Sequence, residues 1–152
     1  MAEELVTDKL RECIGMQSEP IVIEIEKGMI RRFAEAIEDS NPLWQDEEYA
    51  RNARYGGIVA PPGFLMTVLM RGGPAVEPPF EMPVTRVLDG GGQWEYFKPV
   101  RPGDVLTLVN KLDDIRERQG RMGTMVFLVN ETTWKNQRNE LVASCRSTLI
   151  KY

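Results

Sequence analysis

The sequence has 152 residues, 42% of them hydrophobic and 28% charged, with a formal net charge of −4 and no histidine. That length suits one domain with one core, expected over residues 1–152. An acidic balance offers little to nucleic acid or an anionic membrane surface, and the missing imidazole excludes histidine-based metal sites, Ser-His-Asp triads and Cys-His pairs.

The first residues, Met1-Ala2-Glu3-Glu4-Leu5, are acidic and carry no signal-peptide pattern, and the longest apolar run, near Phe64–Met70, is too short to span a bilayer. A cytoplasmic location is expected. Residues 3–13 read as a first helix, with Leu5, Leu10 and Cys13 as apolar markers. Residues 20–26 have the β-branched content of a strand. Met29, Ile30, Phe33, Ala34 and Ile37 then fall at helical spacing, giving an amphipathic helix that ends near Asp39, where Asn41-Pro42 stops it. Asp46 caps a short helix over 48–52, followed by Tyr55-Gly56-Gly57.

Pro61-Pro62 can open a helix, since the first turn has unpartnered amide hydrogens in any case. Phe64, Leu65, Met66, Val68, Leu69 and Met70 cover nearly every side of it, and Arg71-Gly72-Gly73 ends it. A helix apolar all round must be enclosed. The enclosure is expected downstream, where residues 93–97, 105–110, 114–118, 125–134 and 141–150 read as strands. Their short links, at 99–104, 119–121 and 136–139, are turn chemistry and imply hairpins. The residues therefore predict an α+β domain, a curved antiparallel sheet wrapped around one buried helix.

Without histidine, proton transfer falls to a carboxylate, Lys, Tyr, Cys or bound water. No Cys and acid cluster has ligand spacing, so no metal is expected. Cys13 and Cys145 read as small buried hydrophobes rather than a disulfide. Asp89-Gly90-Gly91-Gly92 lacks the lysine and helix of a phosphate loop and reads as a flexible lead into a strand. Lys111, Arg116, Arg118 and Arg121 gather around one hairpin, more in keeping with a solvated edge than with a phosphate site. Met66 and Met70 have the pliability to accommodate an acyl chain, and core packing accounts for them equally well.

Four blocks, in order along nearly the whole chain, carry a resemblance. They are Glu38-Asp39-Ser40-Asn41-Pro42-Leu43, then Tyr55-Gly56-Gly57-Ile58-Val59-Ala60-Pro61-Pro62, then Trp94-Glu95-Tyr96-Phe97-Lys98-Pro99-Val100-Arg101-Pro102-Gly103-Asp104, and Glu131-Thr132-Thr133-Trp134 with Asn136-Gln137. Together they resemble the MaoC-like dehydratase N-terminal family. That resemblance implies the hot-dog fold and reversible hydration of enoyl thioesters carried by coenzyme A or an acyl-carrier protein, with (R)-specific members. Active members hold a catalytic water between the aspartate and histidine of Asp-x-Asn-Pro-x-His. An amide at the N-terminus of the central helix polarises the thioester carbonyl, where the helix dipole favours negative charge.

Carried over residue by residue, the match is incomplete. Asp39 and Asn41-Pro42 fit, but Trp44 stands where the histidine belongs. The amide donor is lost if Pro62 occupies its position and survives if Gly63 does. The catalytic candidates are thus Asp39 and Asn41, although, with the histidine missing, Asp39 is better suited to bonding its own turn than to catalysis. The substrate-facing candidates are Trp44, Tyr55, Gly57, Pro62, Gly63 and Met66; Gln45 and Tyr55 are the residues left to replace the lost proton donor. The expected function is an acyl-CoA-binding, catalytically degenerate subunit of a heteromeric hydro-lyase of lipid metabolism. It needs no cofactor besides the coenzyme A of its substrate. A second hot-dog subunit would bring the intact site, as a hetero-dimer or hetero-tetramer with a homodimer as the alternative. Loss of the histidine is expected to leave room for a bulky, steroid-type or long acyl group. The rivals are a self-sufficient hydratase using Asp39 and a non-enzymatic binding or scaffolding module. The chain suits either a complete subunit or the first domain of a longer protein.

Overall fold

The computed structural model describes residues 4–72, 76–121 and 123–152. Glu3 and Gly73, end points of two expected helical segments, lie outside them, as does the side chain of Met70. In chain order the elements are α1 (Asp8–Arg11), β1 (Ile21–Glu24), α2 (Lys27–Ala36), a 3₁₀ turn (Pro42–Trp44), α3 (Glu47–Asn52), α4 (Phe64–Gly72), β2 (Val87–Tyr96), β3 (Val105–Gly120), β4 (Gly123–Lys135) and β5 (Leu141–Lys151). The strands form one sheet in the order β1-β3-β4-β5-β2, every pair antiparallel. The β4–β5 connection is the tight turn that its asparagines foretold. Asn139 adopts φ +59, and the Asn136 side chain accepts from the backbone N–H of Arg138 and Glu140.

Alternation along the strands decides where the core sits. On β3, Leu106, Leu108, Asn110 and Leu112 are buried, and after the register shift between Leu112 and Asp114 the next buried residue is Ile115. One extra residue, Asp113, changes the phase of the pleat so that apolar side chains on both halves of a sixteen-residue strand face inward. The two separate strands expected at 105–110 and 114–118 are therefore one strand with a bulge. Strand β2 is likewise longer than expected and absorbs the Asp89–Gly92 segment as an irregularity against β5. A side chain at Gly90 would stand 3.0 Å from the carbonyl oxygen of Thr148, so close approach, not flexibility, calls for glycine there.

Two packed clusters result. In the larger, Phe64, Leu65 and Val68 of α4 meet Ile30 and Ala34 of α2 and the inner face of the sheet at Leu106, Leu108, Trp134, Val142 and Ala143. In the smaller, Val6, Leu10 and Cys13 of the N-terminal arm cover Leu112, Ile115, Val126 and Leu128. Each fully buried side chain of this kind contributes about 1.5–3 kcal/mol.

Three expectations are corrected. Helix α2 stops at Ala36 and leaves Ile37 exposed. Helix α1 is a single turn with Thr7 as N-cap rather than a helix over 3–13. Helix α4 is not enclosed on all sides, because Met66 is 49% exposed. One sheet covers one side of a helix, and the apolar residue on the other side stays in contact with solvent.

Candidate functional site

The Asp-Ser-Asn-Pro segment is placed by the end of α2. Glu38, at φ +55, takes the left-handed conformation, the N–H of Asp39 bonds the carbonyl of Ala34 at 2.9 Å, and that of Glu38 bonds Glu35 at 3.1 Å. This pair of bonds is the Schellman termination, which satisfies carbonyls at the helix end and turns the chain. Asn41 then caps the 3₁₀ turn, its Oδ1 accepting from the N–H of Leu43 at 3.0 Å, and Pro42 fills the first helical position.

Both carboxylate oxygens of Asp39 are engaged. Oδ1 accepts from the backbone N–H of Asn41 at 3.0 Å, and Oδ2 accepts from the indole Nε1 of Trp44 at 2.9 Å. Gln45 donates to the backbone carbonyl of Asp39 at 3.0 Å. Trp44 is only 9% exposed, and its polar edge is therefore satisfied by Asp39 rather than by water. The tryptophan takes the position expected of the histidine and holds the carboxylate.

On its other side Trp44 lines a cavity of about 540 Å³, with Tyr55, Val59, Pro61, Pro62, Phe64, Tyr96 and Phe97 among the other walls and Arg54 and Lys98 as its cations. Asp39 is not among the lining residues. It reaches the cavity through the indole. At the head of α4, Gly63 adopts φ +86, a conformation that a side chain would strain, and its N–H donates to the hydroxyl of Tyr96 at 3.3 Å. Pro61 and Pro62 carry no N–H, and the N–H of Phe64 bonds the carbonyl of Pro61, so the Gly63 amide is the donor of this turn that meets a cavity wall.

The fold thus brings Trp44, Tyr55 and Pro62 around one cavity, with Gly63 beside it and Asp39 and Asn41 behind its wall. Gly57 lines a different depression, with Lys27, Arg51 and Arg101, and Met66 lies on the exposed side of α4. Tyr96 escaped the sequence reading as a site residue. An aromatic in a strand signals β-propensity, and only the packing of β2 beside the head of α4 gives it a polar contact. The charges of the β3–β4 hairpin are partly neutralised: Lys111 pairs with Asp113 at 3.0 Å, Arg116 with Asp114, and Arg146 also with Asp113. Beside the cavity, Lys98 pairs with Glu140 at 3.0 Å and Arg54 lies over the Tyr55 ring at 5.6 Å, while Arg101 of the neighbouring depression donates to the carbonyl oxygen of Tyr55. Burial pushes the Cys145 thiol up from its ordinary value, which leaves it protonated and inert. Among the described residues no Cys, Asp and Glu cluster could hold a metal, and no helix is long and apolar enough to cross a membrane.

Residues 12–145 match the family described as the FAS1-like dehydratase domain region. The chain belongs to that family. This dehydratase-region domain is 33% identical over 140 residues to a UPF0336 protein of Saccharopolyspora erythraea, covering 90% of this chain and 87% of that one. It is 31% identical over 139 residues to a probable enoyl-CoA hydratase alpha subunit of Thermomonospora curvata, covering 82% of this chain but only 44% of the longer relative. A MaoC-like dehydratase of Rhodospirillum rubrum superposes with a TM-score of 0.73 at 23% identity, covering 91% of this chain and 92% of the other, and establishes the MaoC-like hot-dog fold. The ChsH1–ChsH2 complex of Mycobacterium tuberculosis superposes with a TM-score of 0.75 at 26% identity, covering 90% and 88%.

Proposed function

We propose that this hot-dog domain is the acyl-thioester-binding, non-catalytic subunit of an enoyl-thioester hydratase or dehydratase, working with a second hot-dog subunit that carries the proton-transfer groups. The observation that carries this reading is the state of Asp39. A general acid or base must be within reach of the proton it moves. Here both carboxylate oxygens are occupied by Asn41 and Trp44, the indole stands between Asp39 and the cavity, and no histidine exists to hold a water opposite. The cavity itself retains what binding requires. It has a largely aromatic and proline lining, an amide donor at one end, and the cation Arg54 for the phosphates of the carrier, with Lys98 already paired to Glu140. Its volume supports a long or bulky acyl group.

The partner is inferred from the edge of the sheet. Among the described residues strand β2 pairs only with β5, and its other edge carries no strand along ten residues. Val87, Leu88, Tyr96 and Phe97 are exposed there, and Met66 of α4 is exposed too. A long edge with apolar side chains invites pairing with another sheet. The similarity to a two-protein complex and to an alpha subunit of a hydratase supports a second hot-dog protein as the occupant.

The test is hydration of a series of enoyl-CoA substrates by the purified chain alone and by the chain mixed with its partner. Turnover only in the mixture, retained by Asp39→Asn in this chain, is the expected result. Turnover by this chain alone that disappears in Asp39→Asn would overturn the reading.

A further inference from the structure

The contact between Tyr96 and Gly63 has a role that the acyl-thioester reading, on which this inference rests, does not itself supply. The Gly63 N–H to Tyr96 hydroxyl distance of 3.3 Å is at the long end for an N–H donor. Tyr96 is 48% exposed and sits on the open edge strand. Its ring is held from below, stacked on Trp94 with centroids 5.9 Å apart and planes 11° from parallel, and Trp94 in turn stacks on the buried Trp134 at 5.1 Å. The aromatic stack therefore delivers a weakly bound, solvent-reachable hydroxyl oxygen to the amide at the head of α4. A thioester carbonyl oxygen is a hydrogen-bond acceptor, as that hydroxyl oxygen is here.

We infer that Tyr96 is a displaceable plug on the carbonyl-binding amide: its hydroxyl holds the Gly63 amide in the empty site and is displaced by the carbonyl oxygen of a bound acyl thioester. The exchange sets the strength of thioester binding. A ligand with a carbonyl must break the tyrosine bond before it gains the amide, whereas a ligand without one leaves the tyrosine bond in place and is indifferent to it. The tyrosine thus tempers the affinity of the site for thioesters and keeps the amide partnered between binding events.

The experiment compares octanoyl-CoA with its thioether analogue S-octyl-CoA, which lacks the carbonyl, on the wild-type chain and on Tyr96→Phe. Each is titrated by calorimetry, for the full chain alone and in the assembly isolated from its host. Removing the competing hydroxyl frees one neutral hydrogen-bond donor, so octanoyl-CoA is expected to bind Tyr96→Phe roughly two- to tenfold more tightly. The thioether is expected to bind both proteins equally. In ¹⁵N spectra of the wild type, the Gly63 amide resonance should shift on saturation with octanoyl-CoA and stay in place with S-octyl-CoA. Weaker or unchanged binding of octanoyl-CoA by Tyr96→Phe, an equal gain for both ligands, or a Gly63 resonance unmoved by saturating thioester overturns the role of Tyr96 while leaving the acyl-thioester site standing. Absence of binding of either ligand by either protein, alone or assembled, overturns the acyl-thioester reading itself and this inference with it.

Discussion

Replacing Asp39 with asparagine separates a carboxylate that builds the turn from one that moves protons. An asparagine keeps one carbonyl oxygen for the N–H of Asn41 but turns its amide NH₂ toward the indole N–H of Trp44, donor against donor, where the wild type has a 2.9 Å bond. Trp44 is 9% exposed, so its N–H has little access to water. A buried donor left without a partner costs about 1–3 kcal/mol. Taking ~2 kcal/mol, a domain of this size loses about 4–8 °C in Tm. Trp44→Phe removes the donor and leaves the half-buried carboxylate to water. In the double variant, Asp39→Asn then has no indole to oppose, and its cost on that background should fall by at least ~1 kcal/mol, inside the usual range for residues in contact. Urea unfolding followed by far-ultraviolet circular dichroism on the four proteins measures the cycle. Hydration by the reconstituted assembly, at a temperature where all four are folded, should be unchanged by Asp39→Asn. A single variant within ~0.5 kcal/mol of wild type whose assembly has lost turnover would refute the structural role of Asp39. An additive cycle would refute the bond to Trp44 as the source of the loss.

Two further outcomes follow from the same geometry. The Glu140 carboxyl is held at about 2, below the ordinary 4.5, first by the Asn136 side-chain amide and then by Lys98 and Arg138. A depressed native value stabilises the fold above pH 4.5 and ceases to do so as the pH falls toward 2, so the gap in urea midpoint between wild type and Glu140→Gln should be full at pH 7 and close across that window; a constant gap from pH 7 to 2.5 would count against it. Phe97→Asp places a charge on the open β2 edge without touching the core, since Phe97 is 51% exposed. Its Tm should stay within about 2 °C of wild type, as for most surface substitutions, while co-purification with the partner and the molar mass by light scattering fall; an intact assembly would place the interface elsewhere.

Much of the fold was legible because the local signals agreed with one another. Alternation marked the strands, Asp46 marked the start of α3, and the asparagines of 136–139 marked the β4–β5 turn. What stayed hidden depends on contacts distant in sequence. The polar run from Asn110 to Asp114 looks like a break, yet Asn110 is buried and hydrogen-bonded to Thr132 on β4, and Asp113 is the extra residue of a bulge. The Schellman turn puts Glu38, a residue with no special turn propensity, in a left-handed conformation, because Asp39 and Asn41 secure the chain that follows. For the site, residue identity announced the missing histidine but not what the tryptophan does. That the indole bonds Asp39 requires knowing that a 3₁₀ turn brings position 44 back toward position 39. Tyr96 needed the packing of β2 beside α4, 33 positions away from its partner Gly63.

The open edge and the cavity are not independent surfaces. Tyr96 and Phe97 line the cavity and are also among the exposed residues at the end of β2. A partner strand laid along that edge orders the same residues that the ligand must move or touch, so in the proposed assembly docking and acyl-thioester binding are linked, and the coupling is reciprocal. If the partner fixes Tyr96 in its stacked position, ligand binding weakens subunit contact; if it draws the ring outward, the two strengthen each other. The linkage shows as a change in subunit dissociation constant on adding octanoyl-CoA, equal in factor to the change in octanoyl-CoA affinity on adding the partner. In Tyr96→Phe, where no hydroxyl competes for the Gly63 amide, that shared factor should move toward one. A factor unaltered by the substitution would mean that the partner acts through the cavity walls, Phe97 first among them, and not through the plug.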